Sequence, residues 1–197
     1  MIKGHIFSII CVACVLFFLA CRPDPNAREQ AMGASVEQPE SSLQEPESSW
    51  KSPSEVTYNI FDFIQGIELS DIDGKPFRLA DEISRHNYTV LDFWASWCPP
   101  CRREMPNMVS LYEKYSPAGI GIVGISLDTD QRAWRQATAE LGVSWPQGSD
   151  LRGWESVVAQ RLNVRSIPFT ITVRKDGTII ATNLRAVQLY QLLSQLP

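Results

Sequence analysis

Two cysteines separated by two prolines, Cys98-Pro99-Pro100-Cys101, offer the clearest chemistry in this sequence. They follow an apolar run, Val90-Leu91-Asp92-Phe93-Trp94-Ala95, which reads as a buried strand. They precede Arg102-Arg103-Glu104-Met105-Pro106, which reads as the first turns of a helix. A C-x-x-C pair at a strand-to-helix junction suits dithiol redox chemistry. Residues three apart on a helix share a face, with Cβ atoms roughly 5–6 Å apart. A disulfide wants about 3.5–4.5 Å, so a small local adjustment opens and closes the bond. Unpaired N–H groups and the positive dipole end at the helix start favour a thiolate over a thiol.

Position assigns the roles. Cys98 lies first, at the helix tip, where its sulfur can be exposed, and is the expected nucleophile. Cys101 is one turn deeper and would resolve a mixed disulfide by attacking Cys98. Pro99 and Pro100 have no N–H to donate to the Cys98 sulfur and restrict φ, which holds the dithiol near its disulfide geometry and favours a reducing pair. The plainer reading is that they only start the helix. Asp92 is a carboxylate in an otherwise apolar strand, six residues before Cys98. Burial raises such a pKa and makes the group a proton acceptor near neutrality, here for Cys101. A wetter strand position would leave Asp92 ordinary. No zinc site is expected, because zinc wants two further protein ligands and His86 is the sole histidine beyond the leader.

The other cysteines are Cys11, Cys14 and Cys21. Cys11 and Cys14 lie in Ile6–Ala20, an apolar run behind Lys3 that reads as a signal-peptide core, short for a membrane span of about 20 residues. Phe18-Leu19-Ala20-Cys21 resembles a bacterial lipoprotein cleavage box, although Leu is usual where Phe18 stands. That resemblance implies a signal peptide over 1–20 and a lipid on the Cys21 sulfur. An uncleaved anchor helix or plain secretion are the alternatives. Residues 21–55 form the tether: past Cys21, the stretch Arg22–Glu55 is rich in Pro, Glu, Ser and Gln and cannot bury enough apolar surface to order itself. As a flexible coil it would span on the order of 30 Å. Residues 56–197 then make one domain with a sizeable core. The formal net charge is −4 with no basic stripe, which argues against nucleic acid.

Along that domain, Ile60–Leu69 and Pro76–Leu79 read as an N-terminal β-hairpin around Asp71-Ile72-Asp73-Gly74. Ala80–His86 reads as a short helix. Strands are expected at Tyr88–Ala95, Ile120–Leu127, Phe169–Arg174 and Thr178–Asn183, the last two joined by Lys175-Asp176-Gly177. Helices are expected at Cys98–Tyr115, kinked at Pro106, at Asp130–Leu141 capped by Asp128 or Thr129, at Trp154–Leu162 and at Ala186–Leu196. This order makes an α/β domain with a central mixed sheet flanked by helices.

The segment Asp92–Cys101 resembles the active-site stretch of the thioredoxin-like fold. Its extension through Arg102-Arg103-Glu104-Met105-Pro106 is similar to the TlpA/ResA branch, membrane-tethered proteins of the bacterial envelope. Many members of that branch carry Asn where Asp92 stands. The resemblance implies that Glu104, on the Cys101 face of the helix, tunes the thiols; an ordinary first-turn acid is the alternative. It implies a cis bond at Ile167-Pro168 opposite the dithiol, with the Ile167 backbone turned toward the sulfur and free to pair with an extended substrate. Trp97, Pro99 and Pro100 would line the same groove, though Trp97 could equally pack the loop.

Residues and resemblance together lead to a thiol-disulfide oxidoreductase that needs no cofactor beyond the Cys98–Cys101 disulfide itself. It would be lipid-anchored in the envelope, with its domain facing the periplasm or the outside. Its partners would be disulfide-containing envelope proteins and a membrane thiol-transfer electron donor, and the family suggests a place in cytochrome c biogenesis. Two other functions fit the cysteines less well. A Cu(I) metallochaperone could use both thiolates. A thiol peroxidase would want a Thr upstream of its Cys, where this chain has Ala95 and Ser96.

Overall fold

The computed structural model describes residues 58–197. The expected signal peptide, lipidated Cys21 and tether lie outside the described residues.

Parallel pairing of the two most apolar runs forms the centre. β3 (Tyr88–Trp94) lies beside β4 (Ile120–Ser126) in register from Tyr88↔Ile120 to Trp94↔Ser126. β4 is buried throughout and β3 is buried from Thr89 on, as expected for strands covered on both faces. Gly124 is needed where the Gln147 side chain crosses the sheet: a Cβ there would fall within the Gln147 amide. β6 (Phe169–Arg174) pairs antiparallel with the other edge of β3, and β7 (Ile179–Thr182) with β6. Gly177 at φ +86° and Asp176, whose carboxylate accepts the Thr178 N–H at 2.9 Å, close that hairpin. On the far side of β4 lies β5 (Gln147–Gly148), which was not expected; two residues after Pro146 carry no alternation to read. The sheet order is β5-β4-β3-β6-β7.

Between β3 and β4 runs α3 (Pro99–Tyr115), continuous through Pro106. Its buried residues Cys101, Met105, Met108, Leu111 and Tyr115 follow helical spacing. α3 packs on the C-terminal helix α6 (Ala186–Leu193). The helix α4 (Gln131–Glu140) follows β4 and reaches α3 through an Arg102–Glu140 ion pair. On a second set of contacts, α1 (Phe61–Ile64) meets α2 (Leu79–Ser84) and α5 (Val157–Arg161).

Three expectations are corrected. Ile60–Leu69 is not one strand. Its first part is α1, because Ile60 and Ile64 bury one helical face, the Asn59 side chain accepts the Phe61 N–H at 2.9 Å, and Gly66 at φ +66° ends the turn. Only Leu69–Ser70 (β1) pairs with Pro76–Phe77 (β2), around a turn in which Asp71 accepts from Asp73 and Lys75. The cap of α4 is Asp130, which accepts from Arg132 N–H at 2.8 Å; Asp128 is occupied elsewhere. Trp154–Leu162 breaks in two. Gly153–Glu155 is a single 3₁₀ turn, and α5 starts afresh where the Asp150 carboxylate accepts the Val157 N–H at 2.9 Å. Among the described residues no helix is long and apolar enough to cross a membrane.

Candidate active site

Cys98 is the N-cap of α3. Its backbone is extended, and its sulfur accepts the Cys101 N–H at 3.2 Å. Pro99 and Pro100 fill the first two helical positions without N–H groups, so the Cys101 amide is the first donor available to that sulfur. Cys98 and Cys101 are joined as a disulfide, with Cα atoms 5.3 Å apart. Cys98 is 4% exposed and Cys101 is 1% exposed. The outer cysteine is therefore more sheltered than a helix-tip position suggests, with the Ile167-Pro168 loop against it. The Ile167–Pro168 bond is cis, and the Cys98 sulfur is 3.8 Å from the Ile167 carbonyl oxygen.

The loop between β3 and α3 is held by Asp128, a residue expected to cap α4. Asp128 is buried and accepts from the Ser96 N–H at 3.0 Å, the Ser96 hydroxyl at 2.5 Å and the Ser126 hydroxyl at 2.8 Å. Trp97 projects from this loop, half exposed. Its indole N–H donates to the Leu127 carbonyl at 3.2 Å. Thus both the backbone before Cys98 and the ring beside it are tied to the end of β4. Nothing local announces this: Ser96 and Asp128 meet only because Trp94 pairs with Ser126.

Asp92 is 3% exposed within β3, opposite Gly124 on one side and Thr170 on the other. Burial is the main reason its pKa is pushed up to about 7. The Glu104 carboxylate raises it further, and the Arg185 guanidinium opposes both. The carboxyl is thus balanced between its two forms near neutrality, the condition for accepting a proton there.

Glu104 and Arg185 meet this site from α3 and from the start of α6. Glu104 accepts the Ala186 N–H at 2.8 Å, satisfying a free donor at the first turn of α6. Arg185 donates to the Pro168 carbonyl at 2.7 Å. The Thr170 hydroxyl donates to the Leu184 carbonyl at 2.7 Å and accepts the Leu184 N–H at 3.0 Å, fixing the chain just before Arg185. Arg185 escapes a reading of the sequence because it stands far along the chain from the cysteines, in a segment with no motif. Among the described residues, no three His, Cys, Asp or Glu side chains cluster as metal ligands.

The model of the AhpC/TSA family matches residues 60–182. Among curated relatives, the thiol-disulfide oxidoreductase ResA of Bacillus thuringiensis subsp. konkukian is 30% identical over 57% of this chain and 62% of its own length. ResA of Oceanobacillus iheyensis is 32% identical over 57% of this chain and 51% of its own. The chain therefore spans less than two thirds of these curated relatives. Among solved structures, a thiol-disulfide oxidoreductase from Bacteroides fragilis superposes with a TM-score of 0.62 at 30% identity, covering 66% of this chain and 96% of that one. The thioredoxin domain of a thiol-disulfide oxidoreductase from Bacteroides vulgatus gives 0.60 at 28%, covering 66% and 91%. With a mixed five-stranded sheet, a C-x-x-C helix start and a family match over most of its described residues, the chain has the thioredoxin-like fold and belongs to the AhpC/TSA family.

Proposed function

We propose that this domain is a thiol-disulfide oxidoreductase that reduces protein disulfides in the bacterial envelope. The observation that carries the reading is the Cys98 sulfur: it caps α3, takes the Cys101 N–H, and faces the Ile167 carbonyl with its partner sulfur bonded beside it. In the reduced state, the Cys98 thiolate attacks one sulfur of a substrate disulfide. A Cys98–substrate bond forms, the substrate S–S bond breaks, and the first substrate thiolate leaves. Cys101 then loses its proton, with Asp92 as the acceptor, and its thiolate attacks the Cys98 sulfur. The Cys98–Cys101 bond forms and the second substrate thiolate leaves. Two electrons have passed from the dithiol to the substrate, and a membrane thiol-transfer donor returns them.

Trp97, Pro99, Pro100 and the Ile167-Pro168 backbone would line the substrate groove, and Glu104 would adjust the charge around Asp92. We place the domain outside the cytoplasm on a lipid attached to Cys21, with envelope proteins such as apocytochrome c as clients. The similarity to relatives named ResA supports the activity.

Trapping tests it. Cys101→Ala in intact cells is expected to accumulate mixed disulfides through Cys98, and Cys98→Ala to abolish disulfide exchange. Full exchange activity in Cys98→Ala would overturn the reading. The Cu(I) carrier makes a different prediction: stoichiometric copper in protein purified under reducing conditions, with no catalysis of exchange.

A further inference from the structure

Trp154 is half exposed at 46%, and Trp97 at 49%. Their rings lie 6.2 Å apart between centroids, tilted at 58°. Both positions are fixed by the fold. The Trp97 ring is anchored through its N–H to the Leu127 carbonyl. Trp154 sits in the 3₁₀ turn between β5 and α5, and both ends of that turn are held. Asp150 accepts from Arg152 and Val157, and the Ser156 N–H donates to the Gly153 carbonyl at 3.1 Å. Gly153 holds φ +58°, and a Cβ there would come within 3.2 Å of the Thr129 side chain. The turn is therefore pressed onto the same Leu127–Thr129 segment that anchors Trp97. The Trp97 ring, tied through its N–H, and the Trp154 ring, carried on a turn whose backbone is held, present apolar surface to solvent, the first of them on the residue immediately before Cys98.

Resting on the oxidoreductase reading above, we propose that Trp154 and Trp97 form an aromatic platform that docks an apolar side chain flanking the cysteine of an extended substrate segment, making Trp154 a specificity-determining residue. The occupant follows from continuity. A substrate sulfur bonded to Cys98 is held within a residue of Trp97, and the neighbouring residues of that substrate can then pass over the paired rings. Aromatic faces bind apolar and aromatic groups well because they bury much surface with little loss of side-chain freedom. A small disulfide, with nothing flanking its sulfur, would not reach Trp154.

The test compares 2-hydroxyethyl disulfide with two short peptide disulfides, one carrying Leu and one carrying Ser beside the cysteine. Trp154→Ala is expected to lower kcat/KM for the Leu peptide about tenfold, mainly through KM, and to change the small disulfide less than twofold. The Ser peptide should fall in between, and Trp154→Phe should retain most of the preference. Equal loss on all three substrates would mean that Trp154 only supports the loop. No loss on the Leu peptide, or faster reaction of the small disulfide, would likewise overturn the proposal, the latter by showing that the ring covers the sulfur. Wild-type protein that reduces none of the three would remove the oxidoreductase reading itself, and the platform with it.

Discussion

Replacing Asp92 by Asn should change how stability depends on pH, and the size of the change follows from where the carboxyl sits. Its pKa is about 7 in the folded domain against 3.8 as the ordinary value. Between those limits the folded state holds a proton that the unfolded chain has released. The unfolded state then binds fewer protons, so stability falls as pH rises. The contribution is fully present below about pH 4 and is lost as pH passes through 7. Roughly three units at about 1.36 kcal/mol each give roughly 4 kcal/mol across that window. For a domain of this size that corresponds to roughly 10 °C in Tm. The side-chain amide of the Asp92→Asn variant cannot ionise, so that protein lacks this slope. The assay is urea and thermal unfolding of the oxidised protein at pH 5 and pH 8.5, with the disulfide intact in both proteins. About one of those units is already lost at pH 5, so between pH 5 and pH 8.5 the wild type should lose roughly 3 kcal/mol that Asp92→Asn does not. An identical pH slope in both proteins would show that Asp92 is not a buried, reluctantly charged group. In the same variant, resolution of the mixed disulfide should slow while the initial attack by Cys98 persists.

Other substitutions probe the supports of the site. Glu104→Gln removes a negative neighbour of Asp92, so the pH window of the stability slope should move down, and thiol alkylation profiles of the reduced protein should shift with it; an upward move would contradict the assignment. Asp128→Ala strips the Ser96 N–H and hydroxyl and the Ser126 hydroxyl of their acceptor, and should cost about 2–3 kcal/mol in urea unfolding. Gly124→Ala drives a methyl into the Gln147 amide, whose oxygen accepts from the Trp94 indole at 2.9 Å. A loss of about 1–3 kcal/mol is expected from overpacking, measurable as a lower Tm with no change in the Asp92 pH slope.

The cysteine pair, its strand-to-helix setting and the long elements were legible in the sequence because each depends on neighbours along the chain. Apolar residues on consecutive positions marked β3 and β4, helical spacing marked α3, and Asp176-Gly177 marked the last hairpin. Short elements were not legible in this way. α1 is settled by one Asn side-chain hydrogen bond and one glycine, and β5 by its partner strand, so a window of local sequence carries too little signal for either.

At the site, the sequence by itself pointed to two thiols one helical turn apart and a carboxyl in an apolar strand as the groups for chemistry, while the resemblance added an acid on the same helix. Tertiary structure decided how those groups are poised. The pairing of Trp94 with Ser126 brings Asp128 under Ser96, and Thr170 beside Asp92 fixes Leu184, so that Arg185 reaches the Pro168 carbonyl and weighs against Glu104 at Asp92. The 150–157 turn likewise puts Trp154 beside Trp97, which stands far earlier in the chain. Identity is a local property that the sequence spells out, whereas burial and electrostatic surroundings are sums over residues distant in the chain, and only the folded sheet brings those residues together.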